Sequence, residues 1–169
     1  MKRFIKLQPR LKAIADFIEN GSSVADIGTD HGFLPVYLAQ HEIACRIIAS
    51  DMSAGSLAAA RRSAAKHRVT DQIEFITAPG LSGVNEADAD TVVIAGVGGE
   101  TIIGILENAF WTKHPGKRLI LQPQTKINEL IYWLKNNGYD ISKTDNVFDR
   151  GRTYTILVVK GEIDNASSL

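Results

Sequence analysis

The sequence predicts an α/β fold: a mostly parallel, seven-stranded sheet with helices on both faces, closed by a carboxyl-terminal antiparallel hairpin. Three observations predict it. Short apolar runs alternate with segments of helical period, the pattern of strands joined by crossover helices. Two of those runs lead straight into glycine-containing turns, ADIGTDHG and IAGVGG. The last two runs are separated only by Asp149-Arg150-Gly151, too short a link for a crossover, so that pair must be antiparallel.

The elements follow in order. Leu7, Leu11, Ile14, Ala15 and Ile18 recur at helical spacing, predicting an amphipathic helix within residues 1–21 that Gly21 stops. Residues 24–27 form a first strand ending at Gly28, and a helix carrying Phe33, Val36, Tyr37 and Leu38 follows, with Pro35 tolerable in its first turn. A second strand, 46–50, ends at Asp51, and Ser53 is placed to cap an alanine-rich helix over 54–67. Residues 73–77 are a third strand before the Pro79-Gly80 turn. Residues 91–95 are a fourth, running into Gly96-Val97-Gly98-Gly99 and a helix around Ile102, Ile103 and Leu106. A fifth strand, 119–121, is closed by Gln122-Pro123, and Ile127, Leu130, Ile131 and Leu134 mark a last helix stopped by Gly138. Strands over 139–147 and 153–160 make the hairpin, and 161–169 reads as a polar, flexible tail. Five βα units capped by a hairpin is the element order of Rossmann-like class I methyltransferases; a nicotinamide-binding half would continue with another crossover helix.

Length and composition bound the function. The 169 residues suit a single domain with one core, at 44% hydrophobic and 22% charged. No apolar run approaches the roughly 18 residues needed to span a bilayer, and the basic start is too interrupted by polar residues for a secretory signal. A single cysteine, Cys45, cannot form an internal disulfide, which points to the reducing cytoplasm. Nineteen basic and nineteen acidic residues cancel, so binding of nucleic acid by bulk charge is not indicated. Local clusters do exist at Lys2, Arg3, Lys6, Arg10 and Lys12, and at Arg61, Arg62, Lys66, His67 and Arg68. Charge alone does not separate a solvated face from a nucleic-acid surface. His41, His67 and His114 have no ligand spacing, and no metal site is expected.

The first glycine turn carries the most chemistry. Gly28 permits a tight turn and a close backbone approach. A dinucleotide fingerprint would need a second glycine where Asp30 stands, and an anion there repels a pyrophosphate. S-adenosylmethionine, with its sulfonium and ammonium charges, suits Asp26 and Asp30; the alternative is that these carboxylates only cap the turn. Asp51, 23 positions after Gly28, is placed to accept the hydroxyls of an adenosine ribose, or else is a helix N-terminal acid. Gly96, Gly98 and Gly99 at the switch point leave an open floor for a flat base, or make a tight turn. This segment lacks the Asp/Asn-Pro-Pro-aromatic motif that grips an exocyclic amino group. Gln122 ends a strand with a free amide. Arg150 and Arg152 flank a hairpin turn on the same carboxyl edge, where they meet phosphate or solvent.

LQPRLKAIADFI, VADIGTDHGFLPVYLA, DTVVIAGVGGETI, RLILQP and GRTYTILVV, in this order, resemble the bacterial tRNA adenine-N1 methyltransferases of the TrmK type over about residues 7–160. ADIGTDH followed by IAGVGG is far more specific than a lone glycine motif. The resemblance implies methyl transfer from S-adenosylmethionine to N1 of adenine 22 in tRNA. It makes Asp26, Gly28, Asp30, His31 and Gly32 the first cofactor loop, Asp51 the ribose ligand and the Gly96 to Gly99 loop the target-side wall. The cofactor-binding set extends to Met52, Gly80, Leu81 and Ala95; the substrate side comprises Arg10, Gly98, Gly99, Gln122, Arg150 and Arg152. Two departures stand out. Ala78-Pro79 replaces the family's Gly-Asp, so a carboxylate near the cofactor adenine is missing. The family's helical extension after the hairpin has no counterpart in these 169 residues, which marks either a fragment or a different grip on RNA. Because N1 of neutral adenine has a lone pair and no proton, alignment should dominate catalysis. A carboxylate would stabilise the cationic product, with Asp30 the expected group and His31 its positioning partner. A small-molecule methyltransferase and a non-catalytic binder of cofactor or RNA are the competing readings.

Overall fold

The structure, a computed structural model, describes residues 3–162. Its elements are α1 (Pro9–Asp16), β1 (Ser22–Ile27), α2 (Phe33–Gln40), β2 (Ala44–Asp51), α3 (Ala54–Lys66), β3 (Glu74–Thr77), β4 (Thr91–Val97), α4 (Gly99–Glu107), β5 (Arg118–Pro123), α5 (Ile127–Asn136), β6 (Tyr139–Asp149) and β7 (Arg152–Gly161), with three short 3-10 turns between them. The seven strands form one sheet in the order β3-β2-β1-β4-β5-β7-β6. All neighbours are parallel except β5 with β7 and β7 with β6. This is the Rossmann-like sheet with a terminal hairpin that the sequence predicts.

The pleat sorts the apolar residues into two layers, because neighbours along a strand face opposite sides. Ala25, Ile48, Val92, Ile94, Leu119, Leu121 and Leu157 pack with Ile102 and Leu106 of α4 and Leu130 and Leu134 of α5. Val24, Ile47, Ala49, Val93, Ile120 and Ile156 pack with Ile14 of α1, Leu34, Val36 and Leu38 of α2, and Ala64 of α3. Burial on both faces explains why the central strands read as continuous apolar runs. The chain starts in the middle of the sheet, runs outward through β2 and β3, then returns to the other flank of β1 as β4. The carboxyl ends of β1 and β4 therefore diverge into loops on opposite faces and leave a crevice.

Several boundaries differ from expectation for local reasons. The opening helix spans only Pro9–Asp16, not most of residues 1–21. Pro9 sets its start, with Gln8 held extended before it, and the amides of Phe17 and Ile18 turn to carbonyls three residues back, which ends the helix and buries Ile18. β2 and β5 outrun their apolar cores because backbone pairing continues through Ala44 and Arg118. Ser53 caps α3 as expected, its Oγ accepting the Ser56 N–H at 3.2 Å. The hairpin closes in a two-residue turn with Arg150 at φ 50° and Gly151 at φ 78°, the left-handed pair that matches strand twist. Gly161 is not tail but the last residue of β7, donating its N–H to Lys117 O at 3.2 Å. Glu162 follows it, its N–H donating to Gly138 O at 3.1 Å, and the rest of the expected tail, 163–169, lies outside the described residues.

Gly32 fixes the approach of α2 to α3. It sits at φ 71°, and a Cβ there would lie 2.7 Å from Cβ of the buried Ala60. Gly32→Ala is expected to lower stability by about 2 kcal/mol, from left-handed strain plus overpacking, read as a shift in urea midpoint at unchanged slope.

Candidate functional site

The loop after β1 is pinned to the end of β2. Gly28 and Thr29 both donate backbone N–H groups to Ser50 O, at 2.8 and 3.0 Å. Asp30, in the left-handed region at φ 55°, then aims its N–H at Asp51 Oδ2, 3.1 Å away. The other oxygen of Asp51 accepts the Ser53 N–H at 2.9 Å. One carboxylate thus ties the first loop to the start of α3, and each oxygen retains lone-pair capacity for a ligand.

Above the carboxyl ends of β1, β2 and β4 lies a cavity of about 670 Å³. Its first wall is built from Asp26, Gly28, Asp30, His31, Asp51, Met52, Ala78 and Gly80, with Ala95 and Gly96 as floor. Asp26 is 7% exposed and accepts the Thr29 hydroxyl at 2.8 Å, its sole protein donor among the described residues. Burial pushes its carboxyl up to about 6, against the opposing pull of the Thr29 hydroxyl and the Arg10 charge, while the nearby Asp51 adds to the rise. A Cβ at Gly28, where φ is 72°, would meet nothing within 4 Å, so the backbone there lies open to a ligand.

The second wall comes from α1 and the hairpin. Arg10 Nη1 donates to Gln122 Oε1 at 2.9 Å, and the guanidinium lies 5.7 Å above the Tyr154 ring. The backbone N–H of Arg10 donates to Asp149 Oδ2 at 3.2 Å. Asp149, Arg150, Tyr154, Gln124, Thr101 and Ile105 also line the cavity.

The structure brings together Arg10, Asp26, Gly28, Asp30, His31, Asp51, Met52, Gly80, Ala95, Gly96 and Arg150 around this space. It does not bring the other expected site residues there. Gly32 serves helix packing, and Leu81 is buried in the core beneath the sheet. Gly98 and Gly99 are not an open floor: a Cβ on them would lie 2.9 Å from Thr125 Oγ1 and 2.5 Å from Lys126 O, so they seat α4 against the loop before α5. Gln122 is fully buried; its oxygen also accepts the Gly96 N–H at 3.1 Å and its amide donates to Pro123 O and Gln124 Oε1. It is a support beneath the cavity with its bonding capacity used. Arg152 is exposed on β7 outside the lining. Asp149 and Tyr154 were not anticipated. An aspartate beside a turn glycine reads as turn chemistry, and only the fold turns this one inward. Among the described residues no group of His, Cys, Asp and Glu is arranged to hold a metal, and no helix is long and apolar enough to cross a membrane.

A doubly wound sheet closed by an antiparallel hairpin, with a carboxylate-lined crevice at its switch point, defines a Rossmann-like methyltransferase. The methyltransferase domain family matches residues 7–157. The chain is 35% identical over 164 residues to the tRNA (adenine(22)-N(1))-methyltransferase of Bacillus subtilis, spanning 96% of this chain and 68% of that enzyme. It superposes on a candidate tRNA (m1A22) methyltransferase of Streptococcus pneumoniae in complex with S-adenosyl-L-methionine, with a TM-score of 0.85 and 31% identity, covering 94% of this chain and 75% of that one. It superposes equally widely on the TrmK protein of M. capricolum in complex with S-adenosyl-homocysteine, at TM-score 0.81 and 29% identity over 94% of this chain and 70% of that one. The chain belongs to the methyltransferase domain family and, within it, to the TrmK group.

Asp26 gives this site a pH signature. Its folded value of about 6 stands above the ordinary 3.8, so between those values the folded protein holds a proton that the unfolded chain releases. The contribution of Asp26 to the stability of the ligand-free protein is therefore fully present below the window and falls by roughly 3 kcal/mol as pH rises through it. Asp26→Asn should remove that slope and melt above the wild type at pH 7; an unchanged pH dependence would place the buried charge elsewhere.

Proposed function

We propose that this chain transfers the methyl group of S-adenosylmethionine to N1 of adenine 22 in tRNA, in the cytoplasm. The observation that carries the reading is the 35% identity to the Bacillus subtilis enzyme over 96% of this chain, which includes every residue lining the cavity's first wall.

The residues present fit the cofactor. Asp26 is a buried carboxylate with one protein donor, suited to an ammonium or sulfonium cation. Gly28 leaves room for close approach, and Asp51 offers two oxygens for ribose hydroxyls. Met52, Gly80, Ala95 and Gly96 supply the flatter, less polar surface that an adenine ring requires. Ala78 and Gly80 border the cavity with no carboxylate between them, so the adenine contact that the family resemblance implies at position 79 is lost or supplied from elsewhere in the wall. When bound, S-adenosylmethionine supplies an electrophilic methyl whose bonding pair returns to sulfur.

The protein's own task is then alignment. Adenine N1 brings its own lone pair and no proton has to leave, so no strong base is required. His31 and Asp30 stand at the rim, with 58% and 71% of their side chains exposed and 4.0 Å between them. There a charge is screened by water, which favours a part in guiding the base inward over one in holding a buried counter-charge. Arg150 and Arg152, exposed at the hairpin turn, offer cations to tRNA phosphates near the entrance. A small-molecule substrate is the second reading, favoured by the balance of nineteen basic and nineteen acidic residues.

Incubation with methyl-labelled cofactor and a tRNA carrying A22 should place the label at N1 of that nucleotide, and an A22-to-G transcript should stay unlabelled. Label in a small-molecule fraction alone would replace this reading with the second. Asp51→Ala should weaken S-adenosyl-homocysteine binding by roughly 100-fold in calorimetry, the loss of two charge-assisted hydrogen bonds.

A further inference from the structure

Asp149 is the buried carboxylate that cofactor binding leaves unused. It is the last residue of β6, paired with Arg152 across the turn, and its side chain lines the cavity while only 7% exposed. Oδ2 accepts the Arg10 N–H at 3.2 Å; among the described residues no donor reaches Oδ1. The nearest obvious cation does not pair with it, because the Arg10 guanidinium is committed to Gln122 Oε1 at 2.9 Å and to the Tyr154 ring. An ionised carboxylate has about four acceptor positions, and a ligand that fills the cavity strips water from Oδ1, which is unfavourable unless the ligand brings a donor in its place. The cavity is thus asymmetric in chemistry. Asp26 and Asp51 line it from the β1 and β2 side, and Asp149 supplies an acceptor from the hairpin side.

We propose that Asp149 reads the Watson–Crick edge of the target adenine by accepting its N6–H, making it a specificity-determining residue for methyl transfer at N1. The inference rests on the adenine-N1 reading above. On that edge adenine presents a lone pair at N1 and a donor at N6, adjacent to each other. With N1 directed at the methyl group, N6 is the next atom able to meet an acceptor on the cavity wall. As the N1–C bond forms, positive charge spreads onto the amino group, and its hydrogen bond to a carboxylate strengthens in the transition state. Guanine presents O6 at the same place and a proton on N1, so two acceptors would face each other and the nucleophilic lone pair would be missing. Selection by one buried acceptor explains how an amino-bearing base is chosen without the Pro-Pro-aromatic clamp.

The test is a cycle between protein and substrate. Asp149→Asn keeps shape, but its amide has one acceptor oxygen for two donors, the Arg10 N–H and N6–H. Single-turnover methylation of A22 tRNA at saturating cofactor should fall about 10- to 100-fold, the range for a hydrogen bond to a charged group. A tRNA with purine at position 22, which lacks the amino group, should lose a comparable factor with wild-type protein. The combination should be no slower than roughly the purine substrate alone, because both changes delete the same contact. Cofactor affinity of Asp149→Asn should match wild type, and its melting temperature should not fall below it. Multiplicative losses, or a drop in cofactor affinity of tenfold or more, would overturn the assignment while leaving the adenine-N1 reading in place. Failure of wild type to methylate A22 tRNA at all would overturn both.

Discussion

The return of the chain to the free flank of β1 is the constraint on which the rest depends. Having laid β2 and β3 to one side, the chain extends the sheet by pairing β4 with β1 on the other. Right-handed crossovers then put α2 and α3 on one face, where α1 also packs, and α4 on the opposite one beside α5. The loops leaving β1 and β4 must part at that seam, and the space between them is the cavity. Its existence needs no special residue. Its chemistry does: Ser50 O gathers the Gly28 and Thr29 amides, Asp51 gathers those of Asp30 and Ser53, and the seam is rimmed by ordered carboxylates.

The side-chain alternation of the strands decides which face serves the site. Asp26 and Gln122 share parity with Val24 and Ile120, which pack against α1 and α2. They therefore point toward Arg10, which reaches down from α1 and joins Gln122 to the hairpin through Asp149 and Tyr154. The other face is nearly pure packing, with Ile102, Leu106, Leu130 and Leu134 all fully buried. Recognition and bulk stability thus draw largely on different layers of one sheet.

Most of the fold was legible in the sequence because β1, β4 and β5 are buried on both faces and their apolar runs are bounded by glycine turns. Helix ends were less so: α1 stops at Asp16 through backbone turns at Phe17 and Ile18 that no side-chain pattern records. The cavity-lining loop after β1 was legible because Gly28 and the flanking aspartates have few other uses at a strand end. The glycines were the weak point. Gly32, Gly98 and Gly99 look like ligand-approach positions in sequence, yet each is required by a neighbouring element, Ala60 or the backbone at Thr125 and Lys126. Asp149 was hidden for the converse reason, since a turn aspartate and a buried acceptor have the same local sequence.

The bonds that hold Arg10 have a consequence for the order in which a nascent chain acquires its site. Its partners Gln122 and Asp149 lie 112 and 139 residues downstream. The α1 segment has nearer partners in α2, where Ile14 packs with Leu34 and Leu38, but its guanidinium reaches its place only when loops of that length close. Until β5 and the hairpin have been synthesised, β1, β2 and β4 can already form the carboxylate-lined wall, but the opposite wall does not exist. The two walls of one cavity are thus completed at different stages of synthesis, the first with β4 and the second only with the hairpin.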